Sequence, residues 1–124
     1  MKNAINWFEI PVTDIARAKK FYETIFGFQT QNMSMGPMQM ETFPADQQGV
    51  SGALIQGGGG KPSAEGTMVY LNADGILDDV LSKVEKAGGK VALPKTLITE
   101  EYGSMAVIID TEGNKVGLHT PNRG

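Results

Sequence analysis

Residues 6–28, NWFEIPVTDIARAKKFYETIFGF, decide the fold of this chain. The start of the stretch is rich in aromatic and β-branched side chains, which favour an extended strand. Asp14, or the threonine before it, is a helix-capping residue, and apolar residues then recur every three or four positions. Gly27 is the residue that most easily adopts the left-handed conformation ending a helix. The pattern predicts a strand over 5–12 and a helix over about 14–26.

A similar order of elements returns in the second half of the chain. A strand is predicted over 66–73, a helix follows with Asp74 or a neighbour as its cap, and Gly88-Gly89 ends that helix. Three short extended segments follow each helix, although 96–102 is ambiguous between strand and loop. Two similar units of strand, helix and three strands indicate an α+β fold in which each unit covers the apolar face of the other.

A glycine-rich stretch in the middle of the chain sets the boundaries of these units. The first module covers about 1–56, a glycine-rich linker 57–65, and the second module about 66–120. Gly57 to Lys61 lacks the spacing of a phosphate-binding loop, so a flexible linker is the better interpretation. We expect one domain, residues 1–124, because a chain of 124 residues normally forms a single core.

Composition excludes several classes of function. The net charge is −3 with no long Lys/Arg run, which argues against nucleic-acid or anionic-membrane partners. The absence of cysteine excludes disulfides, thiolate catalysis and cysteine-based zinc sites. No apolar run approaches the roughly 20 residues that cross a bilayer, and the N-terminus does not have the pattern of a signal peptide. We therefore expect a soluble, cytoplasmic protein.

Methionine is concentrated in one segment, at Met33, Met35, Met38 and Met40. One interpretation is that these flexible thioethers fill irregular space in the core. The other is that they form an adaptable lining for a pocket or a contact between subunits. Met38, Met40 and Thr42 are predicted to share one face of a strand.

Three stretches, residues 11–28, 84–91 and 108–118, resemble the vicinal oxygen chelate superfamily, which includes glyoxalase I, extradiol dioxygenases, fosfomycin-resistance proteins and bleomycin-binding proteins. The resemblance implies the glyoxalase/bleomycin resistance/dioxygenase fold, in which two βαβββ modules form a cupped mixed sheet around the ligand. It also implies a homodimer, because a second chain often completes the cup. The methionine-rich strand is the candidate contact.

Metal-dependent members of this family carry His, Glu or Gln ligands on the first and closing strands of each module. The corresponding positions here are Trp7 and Met68 on the first strands, and residues near Gly52 and Gly117 on the closing strands. None of these side chains suits a hard divalent ion. We therefore expect no cofactor, and the alternative is a divalent metal at a displaced site.

We predict three catalytic candidates: Glu9, Tyr70 and His119. Each comes two residues after one of these positions (Trp7, Met68 and Gly117) and therefore lies on the same face of its strand. Glu9 would act as base, with His119 or Tyr70 as acid. Glu9 and His119 are also the ligands of the alternative metal site, which needs a further donor from substrate or a dimer mate. Further candidates supply apolar and stacking surface for substrate: Trp7, Met68, Met40 and Tyr102.

Plainer interpretations stay open for these residues. Trp7 is otherwise a core residue, Glu9 a carboxylate hydrogen-bonded by its neighbours, and His119 and Tyr102 solvated surface residues. The leading hypothesis for function is a small-molecule-binding protein of the glyoxalase type with a metal-independent pocket, which either sequesters its ligand or performs acid/base isomerase or lyase chemistry. The alternatives are a metal-dependent lyase or dioxygenase that uses Glu9 and His119, and a non-catalytic interaction module.

Overall fold

The computed structural model describes residues 3–122, which contain two helices and eight strands. In chain order these are β1 Trp7–Pro11, α1 Ile15–Phe26, β2 Gln31–Asn32, β3 Gln39–Thr42, β4 Ser51–Gln56, β5 Tyr70–Asn72, α2 Leu77–Val84, β6 Lys90–Thr99, β7 Gly103–Ile109 and β8 Lys115–Thr120. No helix within residues 3–122 has the length and apolar character needed to cross a membrane.

The strands form two separate four-stranded sheets, ordered β1-β4-β3-β2 and β5-β8-β7-β6. In each sheet the first strand of the module runs parallel to the last one, and the remaining pairs are antiparallel. Each sheet is therefore mixed, open and built from one βαβββ unit. The predicted α+β class with two βαβββ modules is confirmed.

Helix α1 begins and ends where its capping residues predict. The Asp14 side chain accepts a hydrogen bond from the Arg17 backbone N–H at 3.1 Å, and Gly27 has a φ of 74°. The apolar stripe of the helix buries Ala18, Phe21, Tyr22 and Ile25. The sequence pattern and the local capping chemistry agree here, which is why the predicted boundary is correct.

Two predicted boundaries in the second module are wrong, and the structure settles a third segment that the sequence left open. Strand β5 has only three residues, whereas a strand over 66–73 was expected. Helix α2 begins later than predicted, with Ile76 as its N-cap residue, because the chain first turns so that the Ile76 N–H bonds to the Ala73 carbonyl at 2.9 Å. Strand β6 extends through the ambiguous segment to Thr99, since pairing with β7 holds it despite three register shifts.

One core joins the two modules. The helices pack on one face of each sheet, where Ile10 and Leu54 of the first module and Ile108 and Leu118 of the second are almost fully buried in the same cluster. Side chains alternate along a strand, so the neighbours of these residues lie on the opposite face. We call this opposite face of each sheet, turned away from the helices, the cup face.

A carboxylate of the second module binds the start of the first helix. The Glu112 side chain is fully buried in the turn between β7 and β8. Its Oε1 accepts the backbone N–H groups of Thr13 at 3.0 Å and Asp14 at 2.9 Å, and its Oε2 accepts Arg17 Nε at 2.7 Å. An anion at this position is stabilised by the unpaired N–H groups of a helix N-terminus. The contact therefore joins the two modules.

Glu112→Gln is expected to lower the free energy of unfolding at neutral pH by about 2 kcal/mol, because a charged hydrogen-bond acceptor is replaced by a neutral amide. Burial acts to raise the pKa of the Glu112 carboxyl, but hydrogen bonds from Arg17 and the Asp14 backbone outweigh burial and lower the pKa to about 2 from its usual 4.5. The stabilisation is therefore complete above about pH 4.5 and is lost as the pH falls towards 2.

Urea unfolding of the wild type and of Glu112→Gln at several pH values measures this effect. The stability difference should shrink steadily between pH 4.5 and pH 2. Glu65→Gln, which changes an exposed carboxylate in the linker, is the matched control and should behave like the wild type. A difference that stays constant down to pH 2 would contradict the assigned role of Glu112.

Candidate functional site

Trp7 and Glu9 form a pair on the cup face of β1. The indole Nε1 of Trp7 donates a hydrogen bond to Glu9 Oε2 at 3.2 Å. Trp7 is 40% exposed, because it points away from the core that buries Ile10 on the same strand. The interpretation of Trp7 as a core residue is therefore wrong. The pair presents an aromatic face with a carboxylate beside it.

Tyr70 and Gly117 form the corresponding pair on the second sheet, where they lie opposite each other on β5 and β8. The Tyr70 ring covers the position that a side chain at Gly117 would occupy, since a Cβ there would lie 2.3 Å from ring atom Cδ2. Tyr70 itself is 46% exposed. The glycine thus lets an aromatic ring lie flat on the cup face of the sheet.

Gly52 does not occupy the position expected of a closing-strand residue. It pairs with Phe8 and faces the core, where a Cβ would lie 2.4 Å from the Phe8 ring. The cup-face positions of β4 are its neighbours Ser51 and Ala53, which pair with Trp7 and Glu9. The expectation for Gly52 placed it one residue out of phase, and such a shift reverses the face of the sheet.

His119 lies on β8 and is held by the loop before β7. Its Nε2 lies 2.6 Å from the Tyr102 carbonyl oxygen. Because a carbonyl oxygen only accepts, Nε2 is the donor in this contact, and in the neutral ring Nδ1 is then an acceptor. Tyr102 contributes through its backbone, while its side chain is 62% exposed.

The two methionines predicted at the site lie in different surroundings. Met40 is only 4% exposed and packs with Ala53 and Ile55 in a small apolar cluster on the cup face of the first sheet. Met68 is half-buried and precedes β5, outside any strand. Met40 thus contributes to the floor of the first sheet.

Residues of β1 and of the segment around β5 line two shared cavities where the two sheets meet, and we call this boundary the seam. Phe8 of β1 and Leu71 of β5 line one cavity at this seam. Further along, Pro11 and Val69 line another.

Glu9 and Tyr70 each lie on the cup face of the first strand of their own module. His119 lies one strand further away on β8, two residues beyond the Gly117 that Tyr70 covers. Within residues 3–122, no hydrogen bond is found that joins Glu9 to Tyr70 or His119. The arrangement offers two aromatic faces with acceptor groups near them.

The cup-face residues do not fit the divalent ion that the family resemblance implies. The first-strand positions carry an indole at Trp7 and a thioether at Met68, and the closing position Gly117 carries no side chain. Among residues 3–122 no group of three or more His, Cys, Asp and Glu side chains is placed to hold an ion. Glu9 and His119 alone provide two donors, fewer than the three protein ligands of a typical catalytic site.

An apolar cavity of about 270 Å³ lies on the helix side of the seam, and sequence reasoning missed it. Four phenylalanines line it: Phe8, Phe26, Phe28 and Phe43. Phe26 and Phe28 stack with their ring centroids 5.1 Å apart, and the Phe8 and Phe43 centroids are 5.3 Å apart. Phe26-Gly-Phe28 at the end of α1 is the signal that could have indicated the cluster.

Comparison with known proteins gives consistent results. A family model described as Glyoxalase/Bleomycin resistance protein/Dioxygenase superfamily matches residues 4–118. The putative glyoxylase CFP32 of Mycobacterium bovis is 32% identical over 123 residues, which are 95% of this chain and 46% of that protein. The chain thus spans about half the length of the first curated relatives that it matches. A glyoxylase-like domain-containing protein of Didymella fabae is 31% identical over 124 residues, covering 94% of this chain and 92% of that protein.

Solved structures share the fold at low sequence identity. A glyoxalase/bleomycin resistance protein from Albidiferax ferrireducens T118 superposes with a TM-score of 0.72 at 15% identity, covering 95% of this chain and 98% of that one. TnmS3, an antibiotic binding protein from Streptomyces sp. CB03234, has a TM-score of 0.67 at 22% identity, covering 96% of each chain. At these identities the likeness concerns the fold alone.

Proposed function

Because the chain belongs to the Glyoxalase/Bleomycin resistance protein/Dioxygenase superfamily, we propose that it binds a small planar organic molecule on the cup face, without the divalent ion that many members use. The observation that carries the proposal is the pair of exposed rings, Trp7 and Tyr70, on the two strands that meet at the seam. Exposed aromatic faces supply rigid stacking surface with one polar end. A few convergent polar groups beside such a surface are typical of ligand sites.

The polar groups beside the rings favour a ligand whose edge carries hydrogen-bond donors. Glu9 is a carboxylate, which only accepts when ionised, and it lies next to the indole of Trp7. His119 uses its Nε2 proton for the Tyr102 carbonyl, so its Nδ1 also accepts. A planar molecule with hydroxyl, amide or amine groups matches this set better than an anion does.

Sequestration of the ligand is favoured over turnover by the chemistry at the ligand positions. A ring, a thioether and a glycine stand where metal-dependent members of the family would carry donors, and none of the three activates a substrate. TnmS3, which shares the fold, is itself described as an antibiotic binding protein. The second candidate is acid/base lyase or isomerase chemistry, with Glu9 as base and Tyr70, or His119 in its protonated form, as acid. It is supported by the exposure of the Tyr70 side chain and by the position of Glu9 beside Trp7, which leave both groups open to a ligand.

Titration of the intrinsic fluorescence tests the proposal, because Trp7 is the only tryptophan. The probes are planar aromatic compounds with hydroxyl or amide groups at one edge and matched hydrocarbons without them. Saturable quenching by the first set, with weaker binding of the second, is the expected result. Failure of every aromatic probe to quench, in protein whose thermal unfolding is also unchanged by them, would favour a non-catalytic interaction module.

Substitution of the acidic and basic candidates separates binding from catalysis. For a binding protein, Glu9→Gln and His119→Ala should each change affinity by less than about tenfold, since each removes one hydrogen-bond acceptor. For an acid/base enzyme, the same changes should reduce turnover by roughly 10²–10⁴-fold while affinity is retained. Titration calorimetry and product analysis on the same variants measure the two outcomes. Lys61→Ala, in the exposed linker, is the control and should alter neither.

The proposal includes a homodimer in the cytoplasm. Leu97 and Ile98 on the edge strand β6 are 58% and 46% exposed, which gives an apolar surface that a second chain could cover. Light scattering at several protein concentrations measures the oligomeric state. A monomer at all protein concentrations would contradict the homodimer and would mean that one chain alone forms the site.

A further inference from the structure

The four methionines of the hairpin between β2 and β3 are paired across it. The Met33 backbone N–H donates to the Met40 carbonyl at 2.9 Å. Met35 and Met38 exchange two backbone hydrogen bonds, at 2.9 and 3.0 Å, around the tight turn of Gly36 and Pro37. Met33 therefore lies opposite Met40, and Met35 lies opposite Met38.

This pairing puts all four thioethers on one face of the hairpin. Directly opposite residues of an antiparallel pair share a face, and so do residues two apart on one strand. The face is the cup face, because Met40 pairs with Ile55 and packs against it. Opposite Cβ atoms in such pairs are about 4.5–5.5 Å apart, and methionine has three flexible torsions beyond that point. We call this set, Met33, Met35, Met38 and Met40, the methionine face.

Core filling explains only part of the methionine face. Met40 is buried, but Met33 is 47% exposed and Met35 is 56% exposed. Exposed methionines near a turn contribute little to packing, and the residues between them, Ser34 and Gln39, are polar and exposed. The spacing Met-x-Met on each side of the turn thus places the methionine side chains on one face of the hairpin and the polar side chains on the opposite face.

We propose that the methionine face binds a soft monovalent cation, Cu(I), through three or four thioether sulfurs. Thioethers are neutral, soft ligands that select Cu(I) over hard ions such as Mg²⁺ or Ca²⁺. The hairpin turn holds the four side chains in register, and their flexible ends can converge on one ion. The chain has no cysteine and one histidine, and the Nε2 of that histidine is bonded to a backbone carbonyl. Within residues 3–122, the methionine face is therefore the place where four soft donors lie together.

Titration with Ag(I), which has the same preference for sulfur and does not change oxidation state here, tests the assignment on the full chain. The protein is labelled with ¹³C at the methionine methyl groups, and the methyl resonances are followed by NMR. The resonances of the methionine face are expected to shift together and to saturate at one equivalent of Ag(I). Met68 and Met105 are internal controls whose resonances should not move.

Matched variants make the result specific. Met33→Leu combined with Met35→Leu removes two exposed sulfurs at nearly constant volume, so the fold should be kept, and saturable binding should be lost. Met105→Leu is the control, because Met105 lies on β7 of the second sheet, outside the methionine face. Retention of Ag(I) binding by the double variant, or loss of it in Met105→Leu, overturns the proposal. Equal shifts of all methionine resonances, without saturation, overturn it as well.

This site is independent of the aromatic ligand proposed for the seam. The double leucine variant keeps Trp7 and Tyr70, so its affinity for the planar probes should equal that of the wild type. Loss of Ag(I) binding with unchanged probe binding is therefore the expected pair of results. If the planar probes do not bind but Ag(I) does, only the aromatic-ligand proposal fails. The two proposals are therefore tested separately.

Discussion

Asp110→Ala is expected to lower the free energy of unfolding by at least about 3 kcal/mol, because it leaves several buried donors unpaired. The Asp110 carboxylate, in a residue only 4% exposed, accepts four hydrogen bonds. They come from the Tyr22 hydroxyl at 2.7 Å, from the backbone N–H groups of Glu112 and Asn114 at 2.9 Å each, and from the Asn114 side chain at 3.2 Å. Each buried donor without a partner costs about 1–3 kcal/mol.

The loss would affect both modules. Tyr22 belongs to α1 of the first module and Asp110 to the turn before β8 of the second, so the bond crosses the shared core. Burial raises the pKa of the Tyr22 phenol well above its usual value, and the Asp110 charge raises it further, so the hydroxyl remains a donor at all physiological pH values. Native domains have only about 5–15 kcal/mol of stability, so the variant should unfold at a clearly lower urea concentration.

Urea unfolding followed by circular dichroism measures the effect. Tyr22→Phe removes one of the four donors and should cost less, roughly 1–2 kcal/mol. Asp46→Ala, in the exposed turn between β3 and β4, is the control and should stay near the wild type. A cost below 1 kcal/mol for Asp110→Ala would mean that water replaces the carboxylate and that this turn does not join the modules.

Trp7→Ala is expected to weaken binding of the planar probes by about 2 kcal/mol, or roughly 30-fold, because aromatic anchors carry much of the energy at binding sites. Trp7 lies outside the core, so the change removes stacking surface without opening a cavity in the fold. The Glu9 carboxylate also loses the indole N–H that it accepts at 3.2 Å. Trp7→Phe keeps a ring and should retain most of the affinity.

Titration calorimetry measures the affinity, because Trp7→Ala has no tryptophan whose fluorescence could report binding. Leu93→Ala removes an apolar side chain of matching exposure, 39% against 40% for Trp7, from the outermost strand β6 and is the matched control. Tyr70→Ala should weaken the same probes, because its ring lies across the seam from Trp7. Unchanged affinity in Trp7→Ala would move the ligand away from the cup face and towards the phenylalanine-lined cavity.

Local chemistry explains which elements were predicted correctly. Helix α1 was found to within one residue because Asp14 and Gly27 satisfy its free backbone groups within the same stretch of sequence. Helix α2 and strand β6 were placed less well. The start of α2 depends on a bond between Gly75 and Thr120 of β8, and β6 depends on its pairing with β7. Partners distant in sequence leave no periodic pattern in the residues that they hold.

In the candidate site, too, local sequence predicted some features, while others depended on contacts between distant segments. Alternation along β1 and β8 was sufficient to group Trp7 with Glu9 and Gly117 with His119, because side chains in a strand have a fixed period of two. The face of Gly52 was predicted wrongly, since the register of β4 against β1 sets which residues face the core. The phenylalanine-lined cavity was missed because its four rings come from three separate segments that meet only in the folded chain.

The sequence by itself determined the family and the doubled βαβββ order, and it carries an indole, a thioether and a glycine at positions that the resemblance matches to the family's ligands. These follow from residue types and short-range spacing, which folding does not alter. Only the tertiary structure decided that Tyr70 covers Gly117, that His119 is engaged by the Tyr102 carbonyl, and that four methionines share one face. Each depends on which strands pair and in which register, and pairing is set by the burial of the whole core at once.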